Sequence, residues 1–332
     1  MAKIVLAAAS SHSPLLAVSS THWGARAQDD VASKHLAMSD GRVLDYAGLL
    51  AESKGAFAKE ATQQNWNAAA DLCAASLDHI RACFETRPID LVVIIGDDQG
   101  ELFVNGNQPL VSAYIGGALK TCNKLGVDGV PDWLRLVGPV YGMDRVREYA
   151  SAPDLAGQLV QRMVEQGIDM GVITDIPHPE QAGLGHAFGF VVERLLPADP
   201  PPILPIFLNT FFPPNVPTPA RAVEIGRALA AAIEALEDDL KIAVVASGGL
   251  SHFVVDETLD RKVLSSIEHG DLFGLTSLSA EALRSGSSEI LNWIAVAAAA
   301  QAANLHCDLL NYLPVYRTPA GTGCGMGFVT WK

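Results

Sequence analysis

The chain has 332 residues, of which 49% are hydrophobic and 18% charged, and its formal net charge is −14. This balance excludes a basic nucleic-acid-binding protein, because phosphate binding needs clustered Lys and Arg, and the apolar content excludes a disordered chain. The five cysteines are scattered and form no CxxC pair, which argues against a disulfide framework or a structural zinc site and favours the reducing cytoplasm.

Three short apolar runs, at residues 4–9, 91–95 and 242–246, are predicted to be buried strands because they are rich in Val and Ile and end at small or polar residues. Helical spacing covers residues 66–84, 155–166, 220–236, 256–267 and 280–284. Residues 294–303 are predicted to form a buried helix, too short to span a membrane, and the first apolar run is too short for a signal peptide. Strands that alternate with helices predict an α/β fold.

The remaining segments are predicted to be loops inside one domain. Proline-rich stretches at residues 197–205 and 213–219 are short, and no linker or repeat divides the chain. Residues 19–61 have the least regular pattern, and we expect them to form a lid or a wall.

Each predicted strand is followed by an unusual loop: SSHSP at residues 10–14, GDDQGELF at 96–103 and SGGLSH at 247–252. Ligands bind beyond the carboxyl ends of strands in α/β sheets. If the strands are parallel neighbours, His12, the Asp97-Asp98-Gln99 cluster and His252 therefore face one crevice. Purely structural roles stay open, because the aspartates also suit turns or helix caps and the glycines suit a tight turn.

Three common catalytic signatures are missing from the sequence. It contains no GxGxxG after a strand, no GxxxxGK[ST] and no GxSxG, so dinucleotide binding, a P-loop and a serine hydrolase have no support. Histidine and carboxylate chemistry remains. It suits a non-haem Fe(II) site and metal-free acid–base catalysis equally well.

The motifs SSHSP, GDDQGELF, GHAFGF, SGGLSHF, SGSSEILNW and YRTPAGTGCGMGF occur in this order along nearly the whole chain. In this set and order the chain resembles the class III extradiol ring-cleavage dioxygenases, the family of the catalytic chain of protocatechuate 4,5-dioxygenase and of gallate and methylgallate dioxygenases. The resemblance implies a single catalytic α/β domain over residues 1–332, with a central mixed sheet flanked by helices. It also implies a cytoplasmic homo-oligomer, most simply a dimer, with a small extra subunit as an open alternative.

The resemblance further implies cleavage of a catecholic ring next to its two hydroxyls, with O₂ and with Fe(II) held by two His and one Glu. Carried over by motif, His12 and Glu289 are ligands, His252 is the acid–base residue, and His186 contacts a substrate hydroxyl. Gln99 stands where the family has its second His ligand, and an amide oxygen is a weaker ligand for Fe(II) than imidazole.

This departure leaves alternatives open. Gln99 could itself be the third ligand through its amide oxygen, or Asp97, Asp98 or His178 could supply the missing ligand. The same scaffold could also work without metal, as a hydrolase, isomerase or decarboxylase that uses His186 and His252 on an aromatic-derived acid. A non-catalytic binding subunit is the third reading.

The expected partners are a small aromatic acid and O₂, with no nucleic acid and no membrane. Arg317, Tyr316 and Tyr312 are candidates to hold the substrate carboxylate, since the Arg fork matches carboxylate geometry. Phe211 and Phe212, in the proline-rich loop at residues 209–219, are candidates to wall the ring. An acidic protein needs such a local positive field to receive an anionic substrate.

Overall fold

The structure, a computed structural model, describes residues 1–104 and 106–332. The strands are β1 Lys3–Ser10, β2 Leu36–Ala37, β3 Val43–Leu44, β4 Leu91–Gly96, β5 Val111–Tyr114, β6 Leu119–Lys120, β7 Glu148–Tyr149, β8 Gly171–Ile173, β9 Ile203–Leu208, β10 Lys241–Ser247, β11 His252–Val254, β12 Cys307–Tyr316 and β13 Thr322–Trp331. The α-helices are α1 Trp23–Val31, α2 Tyr46–Ser53, α3 Gln63–Glu85, α4 Asp132–Arg135, α5 Gly138–Tyr141, α6 Pro153–Glu165, α7 His186–Phe190, α8 Pro219–Glu234, α9 Glu257–Glu268, α10 Leu272–Thr276 and α11 Ile290–Ala302. Short 3₁₀ segments cover Pro14–Ala17, Ser20–His22 and Ser285–Glu289, and a π-helical turn covers Val191–Leu195.

Within the described residues, nine strands form one mixed sheet in the order β11-β13-β1-β10-β4-β9-β5-β8, with β12 paired to β13. The central strands β1, β10, β4 and β9 run parallel to one another. Antiparallel strands flank them, since β13 pairs with β1, β11 and β12, and β5 pairs with β9. The carboxyl ends of β1, β10 and β4 therefore meet at one edge of the sheet.

Apolar side chains cover both faces of the sheet, which explains the continuous hydrophobic runs of its central strands. Ala7 and Val93 point to the face covered by α6, α8, α9 and α11. Ala8 and Ile94, their chain neighbours, point to the opposite face, which α3 and α7 cover. The alanine-rich α11 is almost wholly buried against α8, β1 and β10.

The fold class predicted from the sequence is confirmed: a central mixed sheet is flanked by helices. The three predicted strands and the helices over residues 66–84, 155–166, 220–236, 256–267 and 294–303 all form, with ends shifted by a few residues. The helix predicted at residues 280–284 is wrong. That segment is a turn, and the neighbouring residues Ser285–Glu289 form the 3₁₀ segment instead.

Two further expectations for loops need comment. The proline-rich stretch at residues 197–205 was expected to be a loop, but its last residues begin β9, a buried strand beside β4. Residues 19–61 form α1, α2 and the small β2–β3 hairpin, and α1 contributes to the wall of the cavity described below. None of the helices in the described part of the chain is both long and apolar enough to cross a bilayer.

Candidate active site

A cavity of 610 Å³ opens beyond the carboxyl ends of β1, β4 and β10. His12 follows β1, Gln99 follows β4 and His252 follows β10, and all three line it. The expectation that these loops face one crevice is therefore met, because the three strands are parallel neighbours. His186 and Glu289 line the same cavity from α7 and from the end of the Ser285–Glu289 segment.

The imidazole of His12 is buried and fixed by hydrogen bonds. Its Nδ1 lies 2.9 Å from Ser247 Oγ, and that hydroxyl donates its only proton to the carbonyl of Ala187 at 2.5 Å. Ser247 therefore accepts from His12, so Nδ1 carries a proton and Nε2 is the nitrogen that faces Glu289. Nε2 is thus the atom of this ring that could bind a metal ion in place of a proton. The hydroxyl of Tyr141 also donates to the His12 carbonyl at 2.5 Å.

The carboxylate of Glu289 is 1% exposed and lies at the centre of the cluster. One oxygen lies 3.3 Å from His12 Nε2 and accepts from the backbone N–H of Gly249. The other lies 3.4 Å from His252 Nε2 and accepts from Gln99 Nε2 at 3.0 Å. Burial alone would raise the pKa of Glu289, but the facing imidazoles of His12 and His252 hold it well below its usual value.

In the segment that follows β4, Asp98 has the structural role that the sequence left open for it. Asp98 accepts hydrogen bonds from the backbone of Gly100, Leu102 and Phe103, so it shapes the loop. Asp97 is buried near Glu289, and burial together with that charge raises its pKa to about 6.

The amide of Gln99 contacts two carboxylates. Its Nε2 donates to Asp97 Oδ2 at 3.1 Å and to Glu289 Oε1 at 3.0 Å. In this orientation the amide nitrogen, rather than the oxygen, faces the carboxylate of Glu289.

A buried ion pair joins Glu101 to His186, with His186 Nδ1 2.5 Å from Glu101 Oε1. Burial lowers the pKa of His186, but the carboxylate of Glu101 outweighs burial, and the pKa lies at about 9. Burial likewise opposes the charge of Glu101, yet His186 holds the pKa of that carboxyl at about 2. The pair is thus a charged dyad in the wall of the cavity.

His252 is oriented by its own loop. Its Nδ1 donates to the carbonyl of Leu250 at 2.9 Å, which leaves Nε2 facing Glu289. Burial lowers the pKa of His252, but the charge of Glu289 and its hydrogen bond raise it above the usual value. The atom of this residue that can exchange a proton inside the cavity is therefore Nε2.

Three side chains in the cluster are suited to holding a metal ion. One nitrogen each of His12 and His186 and one carboxylate oxygen of Glu289 lie within 4.8 Å of one another. Two imidazoles and one carboxylate are the ligand set of non-haem Fe(II) sites with open positions for substrate and oxygen. The donor set therefore fits the metal that the resemblance implies.

The residues expected to hold a substrate carboxylate lie in different places. Arg317 lines the cavity but is paired with Asp30, through Nε at 2.6 Å and Nη2 at 3.2 Å. The structure does not bring Tyr312 and Tyr316 to the cavity, because their hydroxyls donate to Asp260 and Glu257 of α9.

Two further expectations for the site differ from the structure. Phe211 and Phe212 are not among the residues that line the cavity. Trp133, Leu134 and Phe253 supply its apolar wall instead. His178 is exposed and does not reach the cluster.

Several functional candidates had no assignment at the level of sequence. Glu101 lies in the GDDQGELF motif, but the sequence assigns it no role. Ser247 directly follows the third predicted strand, and this position is the signal that could have identified it. Arg26, which lines the cavity, and its partner Asp30 at 2.7 Å carry no local signal, since they lie in the segment with the least regular pattern.

Comparison with known proteins adds two findings. The profile of the family described as the catalytic LigB subunit of aromatic ring-opening dioxygenase matches residues 79–323, well over half of the chain. A gallate dioxygenase from Pseudomonas putida is 36% identical over 106 residues, which is 31% of this chain. That match covers 29% of the length of the relative.

Proposed function

The chain belongs to the family of the catalytic LigB subunit of aromatic ring-opening dioxygenases, and we propose that it is itself such an enzyme, cleaving a catecholic acid with Fe(II) and O₂. The observation that carries the proposal is the buried cluster of two imidazoles and a carboxylate at a cavity large enough for an aromatic ring.

On this proposal, His12 and Glu289 hold the metal. When bound, Fe(II) would supply the site at which the catechol oxygens and O₂ meet. Ser247 holds the Nδ1–H of His12 so that Nε2 faces Glu289, and the backbone of Gly249 keeps Glu289 in place. Both ligands are thus pre-oriented before any ion arrives, which lowers the cost of binding it.

His252 is proposed as the acid–base residue. Its Nε2 faces the cluster, while its Nδ1–H is held by the carbonyl of Leu250. The ring can therefore take a proton from a substrate hydroxyl and later return it without changing its orientation. His252→Ala should abolish turnover and leave the chain folded, and the exposed His35→Ala serves as the matched control.

The substrate carboxylate is proposed to face the group formed by Arg26, Asp30 and Arg317. Arg26 and Arg317 share the carboxylate of Asp30, and Asp29, which also lines the cavity beside Arg26, offsets part of their positive charge. Lys124, which also lines the cavity, adds a further cation. Such a local field can draw an aromatic acid into a protein whose net charge is −14.

The proposal is tested by metal analysis after anaerobic loading with Fe(II), combined with oxygen uptake on catechol, protocatechuate and gallate. We expect one bound iron per chain and oxygen uptake with at least one of these acids. Protein that binds no iron and consumes no oxygen would contradict the proposal. Turnover that persists in EDTA and without O₂ would select the metal-independent acid–base alternative.

We further propose that residues 1–332 act as one catalytic domain in a cytoplasmic homo-oligomer, most simply a dimer. The continuous main sheet, which runs from β1 to β13, supports the single domain. The five free cysteines support a reducing compartment. Sedimentation of the purified chain measures the oligomeric state.

A further inference from the structure

We propose that the second imidazole ligand of the metal in this chain is His186, held from behind by Glu101, and that Gln99 is not a ligand. This inference rests on the proposed metal-dependent function and specifies which side chains serve it. It is carried by the contacts of three groups: the amide of Gln99, the ion pair of His186 and the hydroxyl of Ser247.

The amide of Gln99 is already committed to other contacts. Both protons of its Nε2 are used, one on Asp97 and one on Glu289. To offer its oxygen to an ion at Glu289, the amide would have to turn over. That rotation would give up both hydrogen bonds and bring the amide oxygen against the two carboxylates, and buried groups without partners are costly.

His186 has the opposite arrangement. Its Nδ1 is held by Glu101 at 2.5 Å, so its Nε2 is the nitrogen left to meet an ion. A ligating histidine whose other nitrogen donates to a carboxylate is the common pattern in metalloproteins, where the carboxylate fixes the ring and strengthens the ligand. Glu101 is itself fixed, because its second oxygen accepts from the backbone of Gln99 at 2.9 Å.

The chain leaves room for this pair at Gly185. A Cβ atom placed on Gly185 would lie 2.6 Å from the carboxyl carbon of Glu101, too close for any other residue. The segment after β4 thus presents no imidazole at position 99, but it supplies the carboxylate that orients an imidazole from α7.

The two imidazoles are also tied to each other. Ser247 Oγ accepts from His12 and donates to the carbonyl of Ala187, the residue after His186. The ring centroids of His12 and His186 lie 4.6 Å apart. Ligand atoms about 2.1 Å from one ion lie roughly 3.0 to 4.2 Å apart. The separations of up to 4.8 Å in the cluster are therefore close to those of a closed site.

The test compares Fe(II) affinity, measured by anaerobic calorimetry, across four variants. His12→Ala removes a ligand of the proposed site and gives the reference loss of affinity with which the other variants are compared. We expect His186→Asn to weaken binding by about 100-fold or more and Glu101→Gln by about 10- to 100-fold. Gln99→Ala removes only a hydrogen bond to the ligand Glu289, so it should weaken binding by no more than about 10-fold, clearly less than His186→Asn. Circular dichroism checks that each variant is folded.

A second measurement needs no variant. Electron spin echo envelope modulation of the nitrosyl adduct of the Fe(II)-loaded wild-type chain counts coordinated imidazoles. Two imidazoles support the proposal, and one overturns it. It is also overturned if Gln99→Ala weakens binding as much as His12→Ala does while His186→Asn has no effect. A wild-type chain that binds no Fe(II) would instead overturn the proposed function on which the inference rests.

Discussion

Gly286 is the residue against which the ring of His252 packs, and it offers a way to disturb that ring without removing any functional group. A Cβ atom placed on Gly286 would lie 2.6 Å from His252 Cγ, and closer still to Cδ2 and Nε2. Since carbon atoms in contact lie about 3.5 Å apart, Gly286→Ala must move the ring, or the Ser285–Glu289 segment, by at least about 1 Å.

Either movement displaces a group of the proposed active site. A shift of the ring weakens the 2.9 Å hydrogen bond to Leu250 and withdraws Nε2 from Glu289. A shift of the segment displaces Glu289 itself. Overpacking of this kind costs about 1–3 kcal/mol of folding free energy. A misplacement of about 1 Å at a reacting group lowers kcat on the order of 100-fold.

The assay is oxygen uptake by the Fe(II)-loaded variant, together with urea unfolding. Gly157→Ala is the matched control, because Gly157 lies inside α6 with no atom near its Cβ position. That control should gain roughly 0.5–1 kcal/mol of stability and keep its activity. If Gly286→Ala keeps kcat within about twofold of the wild type, the placement of His252 as the acid–base residue is refuted.

Three further outcomes are expected. Asp30→Ala leaves the buried guanidinium of Arg317 without its partner and should lower the unfolding free energy by about 3–5 kcal/mol; a loss below about 1 kcal/mol in urea titration would contradict a tight pair. Tyr312→Phe removes a hydrogen bond to the buried Asp260 and should lower the unfolding free energy by about 1–3 kcal/mol. Tyr316→Phe should lower it less, because its partner Glu257 is more exposed. If Tyr312→Phe raises KM and leaves stability unchanged, Tyr312 contacts the substrate instead. Burial raises the pKa of Asp260 to about 6, above its value of about 3.9 in the unfolded chain. The protonated carboxyl therefore contributes its full stability below about pH 4, and this contribution is lost as the pH rises through 6. Asp260→Asn should remove this pH dependence from the curve of unfolding free energy against pH.

The parallel core of the fold could be predicted because its strands are buried on both faces. The runs that became β1, β4 and β10 are continuously apolar, and each ends at a loop with polar side chains. Their order in the sheet could not be predicted, because nothing in three similar runs says which strands are neighbours. The site could therefore be predicted only on the assumption that these strands are parallel neighbours.

The C-terminal hairpin was missed for a different physical reason. In β13, Cys324, Met326 and Phe328 point to one face and pack with the core, while Gly323, Gly325 and Gly327 occupy the alternate positions. The period of two is therefore present, but between Gly323 and Gly327 one face carries no side chains. At Gly325 that bare face allows the carboxylate of Asp260 to come close, so a Gly-rich stretch typical of a loop is in fact a strand.

Tyr312 and Tyr316 were expected at the substrate site because the sequence does not show what packs against their strand. Their spacing of four places both on one face of β12, as a strand requires. That face meets α9, where Asp260 and Glu257 lie one helical turn apart and take the two hydroxyls. Sequence spacing could show that the tyrosines act together, but only the packing of α9 decides that they meet a helix rather than a substrate.

The distribution of charge in the cavity favours one orientation of the proposed substrate. The charge of Glu101 is matched by His186, but the carboxylates of Asp97 and Glu289 lie close together, and burial beside Glu289 raises the pKa of Asp97. Two adjacent carboxylates favour a bound dication and repel the carboxylate of a substrate. The guanidinium groups of Arg26 and Arg317 lie in the wall of the same cavity. An aromatic acid is therefore expected to enter with its hydroxyls toward the cluster and its carboxylate toward the arginines, the orientation that ring cleavage beside the hydroxyls requires.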